Sequence, residues 1–192
     1  MARRTGLVAI LAIVAAVVLG VLASVGAAGH GKSRSVEAKL TGYEETPATL
    51  STPAVGKIKL KIRNSTSIEY RLSYTALTPT QGHIHFGARA LSGGISAWLC
   101  DSATNPAPAP PAGTVDDVPL CPPAAAGTKV KVSGTITAGD IIGPAAQGIA
   151  PTEIGELIAA IKFGAAYANV HSAAFPMGEI RGQLDNRRGD DD

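Results

Sequence analysis

Cysteine and histidine are scarce in this chain of 192 residues, with two of the first and four of the second. Cys100 and Cys121 stand far apart, so there is no C-x-x-C motif. A surplus of one charge is also missing. Seventeen Lys and Arg face fifteen Asp and Glu, a net charge of +2. Losing Arg3 and Arg4 with an N-terminal leader brings it to about zero, which argues against a protein that binds nucleic acid by neutralising phosphates. The chain has no internal repeats, no Gly-rich phosphate loop and no Ser/His/Asp order. No catalytic site is evident. A metal-dependent redox activity is the only enzyme reading that survives.

What is present begins with a leader. Arg3 and Arg4 precede an apolar run from Gly6 to about Ala23, and Val25-Gly26-Ala27 puts small residues at a cleavage site. Residues 1–27 therefore read as a signal peptide. The run just reaches spanning length, so an uncleaved anchor, the only membrane contact expected, is the alternative. No cysteine at the cleavage region offers a lipid site. Cleavage after Ala27 would leave Ala28-Gly29-His30 as an N-terminal Cu(II) chelate; cleavage one residue later would abolish it. Residues 28–35 read as a flexible linker and 185–192 as a disordered tail.

About 165 residues remain, one domain by size. An exported chain with an even cysteine count favours a Cys100–Cys121 disulfide over two free thiols or a metal pair. It would close the Pro/Ala-rich stretch 101–126 as an irregular excursion.

Lys57 to Arg63 alternates cations with Ile58, Leu60 and Ile62, and Ile68, Tyr70, Leu72 and Tyr74 alternate with polar residues after a turn at Asn64–Ser67. This is a hairpin of half-buried antiparallel strands. Further strands are expected at Val36–Leu40, Gly82–Phe86, Ile95–Leu99, Lys129–Ile136, Ala166–His171 and Gly178–Leu184. The fold class is all-β, an antiparallel sandwich or barrel of about seven to nine strands. One helix is predicted near 152–163, from the spacing of Ile154, Leu157, Ile158 and Ile161 and the stop at Gly164. Asp140–Pro144 reads as a shorter helical turn.

Four phrases stand out: LTGYEETP at Leu40–Pro47, GHIHFG at Gly82–Gly87, DIIGPAAQG at Asp140–Gly148, and AAYANVHSAAFPMGEIRGQL at Ala165–Leu184. Together they resemble the CHRD domain, the module named after chordin, from about Val36 to Leu184. Ser172 and Met177 are mild departures from its usual Thr and Gly. The resemblance implies an extracytoplasmic β-rich module. A stand-alone copy behind a signal peptide looks like the bacterial form, for which the family implies no activity. Chordin's growth-factor antagonism does not transfer, because a shared fold does not carry a function. The expected partner is an unknown extracellular protein or envelope component.

His83 and His85 lie one residue apart, which is strand spacing, so both rings leave the same face. Tyr167, Asn169 and His171 share parity on a later strand. A copper or zinc ion held by His83, His85 and His171 is one reading. Three neutral histidines in a buried hydrogen-bond network is the other. H-x-H on a sandwich is also similar to the copper–zinc superoxide dismutases. That likeness fails by counting, because only His30 is left to complete such a site. Glu179 and Arg181 alternate with Ile180, and either is expected to hydrogen-bond a histidine, with Asn169 a further member of the network. Gly42–Pro47 reads as a turn rather than a display of carboxylates.

Overall fold

The computed structural model describes residues 34–102 and 118–185. The leader at 1–27, His30, most of the linker 28–35, the middle of the 101–126 excursion and the tail from 186 onward lie outside the described residues.

Eight strands run in the order β1 (Arg34–Thr41), β2 (Val55–Ile62), β3 (Ile68–Thr75), β4 (Pro79–Phe86), β5 (Gly94–Asp101), β6 (Val130–Ile136), β7 (Ala166–Ser172) and β8 (Ile180–Gln183). Arg34 and Ser35, placed in the linker by sequence, already belong to β1. The last strand is shorter than its sequence pattern, because Glu179 precedes the ladder and Leu184 follows it. All neighbours are antiparallel, in the order β5-β4-β7-β8-β1-β2-β3-β6. The two end strands, β5 and β6, approach each other, so the sheet is a nearly closed barrel.

Period-two alternation builds the core. Val36, Leu40, Ile58, Leu60, Ile68, Leu72, Ile84, Leu99, Val170 and Ile180 all turn inward and are essentially buried. Each such side chain contributes about 1.5–3 kcal/mol on leaving water. Tyr70 also points inward. Its hydroxyl donates to the Leu99 carbonyl at 2.7 Å, a strap from β3 to β5 across the gap. Gly134, paired with Tyr70 on β6, makes room for that ring, since a Cβ there would lie 2.6 Å from the Tyr70 hydroxyl.

The helix α1 (Ile154–Phe163) buries Ile154, Leu157, Ile158 and Ile161 in the same core and ends on Gly164 at φ 84°. A left-handed residue there is a glycine's role. The helical turn expected at Asp140–Pro144 is not where the sequence suggests. One 3-10 turn covers Ala138–Asp140 and another Ala145–Gln147, with residues 141–144 between them. The Asp140 carboxylate accepts from the Thr137 amide and hydroxyl at 2.7 and 2.9 Å, so it closes a turn instead of opening one. Ile141 is then buried as a core residue.

Cys100 and Cys121 form a disulfide with Cα atoms 5.2 Å apart. It joins the end of β5 to the far side of the Pro/Ala-rich excursion, and both cysteines lie in the core cluster. The double variant Cys100→Ala/Cys121→Ala is expected to lose about 3 kcal/mol in urea unfolding, the loop-entropy value for a separation of 21 residues. A loss near zero would mean that the excursion is held without the bond.

A candidate metal centre on the outer face of the barrel

The strand register sets the site. On β4, His83 pairs with Asn169 of β7 and His85 with Tyr167, while Gln81 pairs with His171. Asn169 and Tyr167 pair in turn with Arg181 and Gln183 on β8. On the other side, Trp98 of β5 pairs with His83 after a bulge. All these side chains leave the sheet on the face away from the core, yet all but Gln81 are buried. The connections 42–54, 87–93 and 173–179 supply their partners and roof this face.

The three imidazoles lie together. Ring centroids are 5.4 Å apart for His83 and His85, 5.0 Å for His83 and His171, and 5.9 Å for His85 and His171. Each ring offers one nitrogen within 4.8 Å of the others. Backbone carbonyls orient two of them. His171 Nδ1 donates to the Pro176 carbonyl at 3.1 Å, and His85 Nδ1 donates to the Gly93 carbonyl at 3.0 Å. A carbonyl only accepts, so in the neutral rings Nε2 keeps its lone pair. His83 Nδ1 lies 3.2 Å from His171 Nε2, and the His171 tautomer makes His83 the donor.

The remaining ring atoms, His83 Nε2 and His85 Nε2, are buried without a hydrogen-bond partner. Trp98 Nε1, Asn169 Oδ1 and Glu45 Oε1 share that state nearby. Orphaned polar atoms are rare inside proteins. Such a concentration, with two lone pairs among them, is the chemistry of a site for a cation that accepts nitrogen donors. Two nitrogens bound at 2.0–2.1 Å to one tetrahedral ion are roughly 3.3 Å apart, close to the separation of His83 Nδ1 and His171 Nε2, so an ion there would replace the hydrogen bond between them, with the His83 proton moved to Nε2. The residues present therefore fit a three-histidine ion site.

Burial holds all three histidines neutral. It pushes His83 well below the ordinary imidazole value, with the neighbouring His171 and His85 adding to the effect. It lowers His85 to about 4 against the opposing Gly93 carbonyl. His171 falls for the same reason, partly offset by the Pro176 carbonyl.

Glu179 and Arg181 do not bond the histidines as expected from sequence. The Glu179 carboxylate accepts from the Thr52 hydroxyl at 2.6 Å. Arg181 donates to the Thr46 hydroxyl at 2.6 Å and to the Leu91 and Ala88 carbonyls at 2.9 and 3.3 Å. Its guanidinium lies 3.5 Å from the centroid of Tyr167, which stacks on His85. Arg181 thus acts on the site through Tyr167. Asn169 donates to Glu45 at 3.4 Å rather than to a ring.

Glu45, Thr46 and Trp98 are the site residues that sequence reasoning missed. Gly42–Pro47 does form a turn, a 3-10 turn at Gly42–Glu44. Glu45 then points inward, and burial raises its carboxyl to about 7 despite the nearby Arg181. Gly178 borders this contact at φ 132°. A Cβ there would lie 2.4 Å from Asn169 Nδ2 and 2.7 Å from Glu45 Oε2. Trp98 reached His83 only through the β-bulge, which parity counting cannot foresee.

The phrases that carry these residues also carry the family. A CHRD domain profile matches residues 36–184. The chain belongs to the CHRD-domain family. No curated protein and no solved structure matches the chain. The CHRD assignment accounts for the barrel and its roofed outer face as one unit, since the match runs from β1 to just past β8. An extracytoplasmic module agrees with the buried disulfide.

The pH dependence of the CHRD domain follows from these groups. Histidines whose folded pKa lies below the unfolded one stabilise the protein above about pH 6.5. That contribution is lost as pH falls through the folded values, about 4 for His85. Glu45 has the opposite sign, because its folded value of about 7 exceeds 4.5. Its contribution is present below 4.5 and lost as pH rises through 7. Three histidines outweigh one glutamate, so the Tm of the metal-free protein is expected to fall between about pH 6.5 and pH 4. Glu45→Gln removes the opposing group and should steepen the fall. A flat Tm across this window would mean that the imidazoles titrate as solvated groups.

Proposed function

We propose that this CHRD chain is an exported binding module, secreted or held at the cell surface, that binds one copper or zinc ion through His83, His85 and His171. The observation that carries the reading is the convergence of three buried imidazole nitrogens within 4.8 Å, with the outer nitrogens of His85 and His171 tied to carbonyls. A hydrogen-bonded outer nitrogen sets the tautomer of a metal-binding histidine and raises its basicity. Imidazole donors suit copper and zinc, whereas hard ions such as calcium take oxygen ligands. Both cysteines are in the disulfide and add no thiolate.

A neutral histidine network would rigidify the same face without a metal. It leaves His85 Nε2, the nitrogen an ion would take, buried without a partner, which weighs against it as the whole purpose of the cluster.

The test is titration of the chelator-treated mature protein with Zn(II) and with Cu(II), followed by calorimetry and by thermal unfolding. One equivalent should bind. Excess ion at about 100 times Kd should add roughly 2.7 kcal/mol to stability. His171→Gln should weaken binding by at least about tenfold, since losing even an outer hydrogen-bond partner of a metal ligand costs about that much. The chain's one tryptophan lies 4.2 Å from His83 by ring centroids, so Cu(II) should also quench its fluorescence. Unchanged Tm with either metal would reject the reading and leave the structural network.

A further inference from the structure

The outer face of the opposite half of the barrel has a different character. Register on β1, β2, β3 and β6 aligns Lys39, Lys57, Ser73 and Lys131 in one cross-strand row. The next row is Glu37, Lys59, Arg71 and Ser133. These rows place Lys39 directly opposite Lys57, and Lys59 directly opposite Arg71. Like charges in such pairs destabilise a sheet. The five cations meet a single acid within the rows, Glu37, which pairs with both Lys57 and Lys59. Among the described residues no ion pair joins Lys39, Arg71 or Lys131 to a carboxylate.

Edge protection does not explain this arrangement. Lysine on an edge strand discourages pairing with another chain, but β1, β2 and β3 are all interior to the hydrogen-bonded order. The chain as a whole is close to neutral, so the cations are concentrated here. A shallow depression of about 430 Å³ lies over the face, lined by Lys57, Lys59, Arg71, Ser73, Lys131 and Ser133 together with Leu72 and Val132, two residues buried in the core.

We propose that this face is a docking surface for an acidic polysaccharide, a polymer with carboxylate or sulfate groups on successive sugars. Strands lie about 4.8 Å apart and same-face residues about 6.6 Å apart along a strand. The cations therefore form a repeating lattice that successive anions of a polymer can meet at several points, and a single small anion would leave most of them unused. Ser73 and Ser133 sit among them as hydroxyl partners for sugars. The rows contain no apolar or aromatic side chain. They have nothing to insert into a lipid surface and nothing to stack on bases. The surface is independent of the histidine cluster, which lies on β4 and β7.

The experiment measures binding of the full mature chain to polygalacturonate and to dextran sulfate over a range of salt concentrations. The comparison variant is Lys59→Gln/Arg71→Gln. Wild type should bind at low ionic strength, with affinity falling as salt rises. The double variant should lose about tenfold or more in affinity and show a shallower salt dependence. Its Tm should stay close to that of wild type, because the exposed Lys59–Glu37 ion pair is lost together with a like-charge pair. His171→Gln should bind the polymers as wild type does, which separates this surface from metal binding. Failure of both polymers to bind at low salt would overturn the proposal, as would equal binding by the double variant. Tighter binding to phosphatidylglycerol vesicles through the same two residues would also overturn it, in favour of a lipid surface.

Discussion

Arg181 is only 2% exposed, so its guanidinium must find its partners inside the protein. A buried charge without them would cost several kcal/mol. The partners come from two connections, through Thr46 on one and the Ala88 and Leu91 carbonyls on the other. The ring of Tyr167 supplies the rest. Satisfying this one cation draws both connections down over the outer face of β4, β7 and β8. The residues 87–93 thereby bring the Gly93 carbonyl to His85 and the Gly93 amide to the Tyr167 hydroxyl. Without a roof, the histidines would stand on an open sheet in water and titrate near 6.5.

The roof turns a common barrel into a two-chambered protein. The inner chamber is apolar, close-packed and strapped by Tyr70. The outer one holds His83, His85, His171, Glu45, Arg181 and Trp98 at similarly low exposure. Inside it, desolvation holds the imidazoles neutral and keeps their lone pairs available. The same desolvation raises the Glu45 carboxyl to about 7. Among the described residues, no connection roofs the β1–β2–β3–β6 half. Its outer residues stay solvated, which is why a row of like charges can persist there at a modest cost.

Much of this was legible in the sequence, for a physical reason. Strand parity and helical spacing are local, so alternation of Ile58, Leu60 and Ile62, or the spacing of Ile154, Leu157, Ile158 and Ile161, dictates which side chains share a face. Those patterns located the strands, the one helix and the shared face of His83 and His85. The family phrases brought His171 into the same argument. Cys100 and Cys121 needed only their number and the expectation of export to be read as a pair.

Tertiary structure decided what no local pattern encodes. The order of strands put β7 between β4 and β8, so His171 came within hydrogen-bond distance of His83. A bulge on β5 brought Trp98 to the same ring. Glu45 looked like part of an exposed turn, and only the demand of the buried Arg181 and Asn169 for partners explains why it faces inward. Glu179 and Arg181 had the right strand parity for the histidines, yet the loops offered Thr52 and Thr46 instead. A strand's period tells which face a residue takes. What covers that face depends on connections that are close in space and distant in sequence.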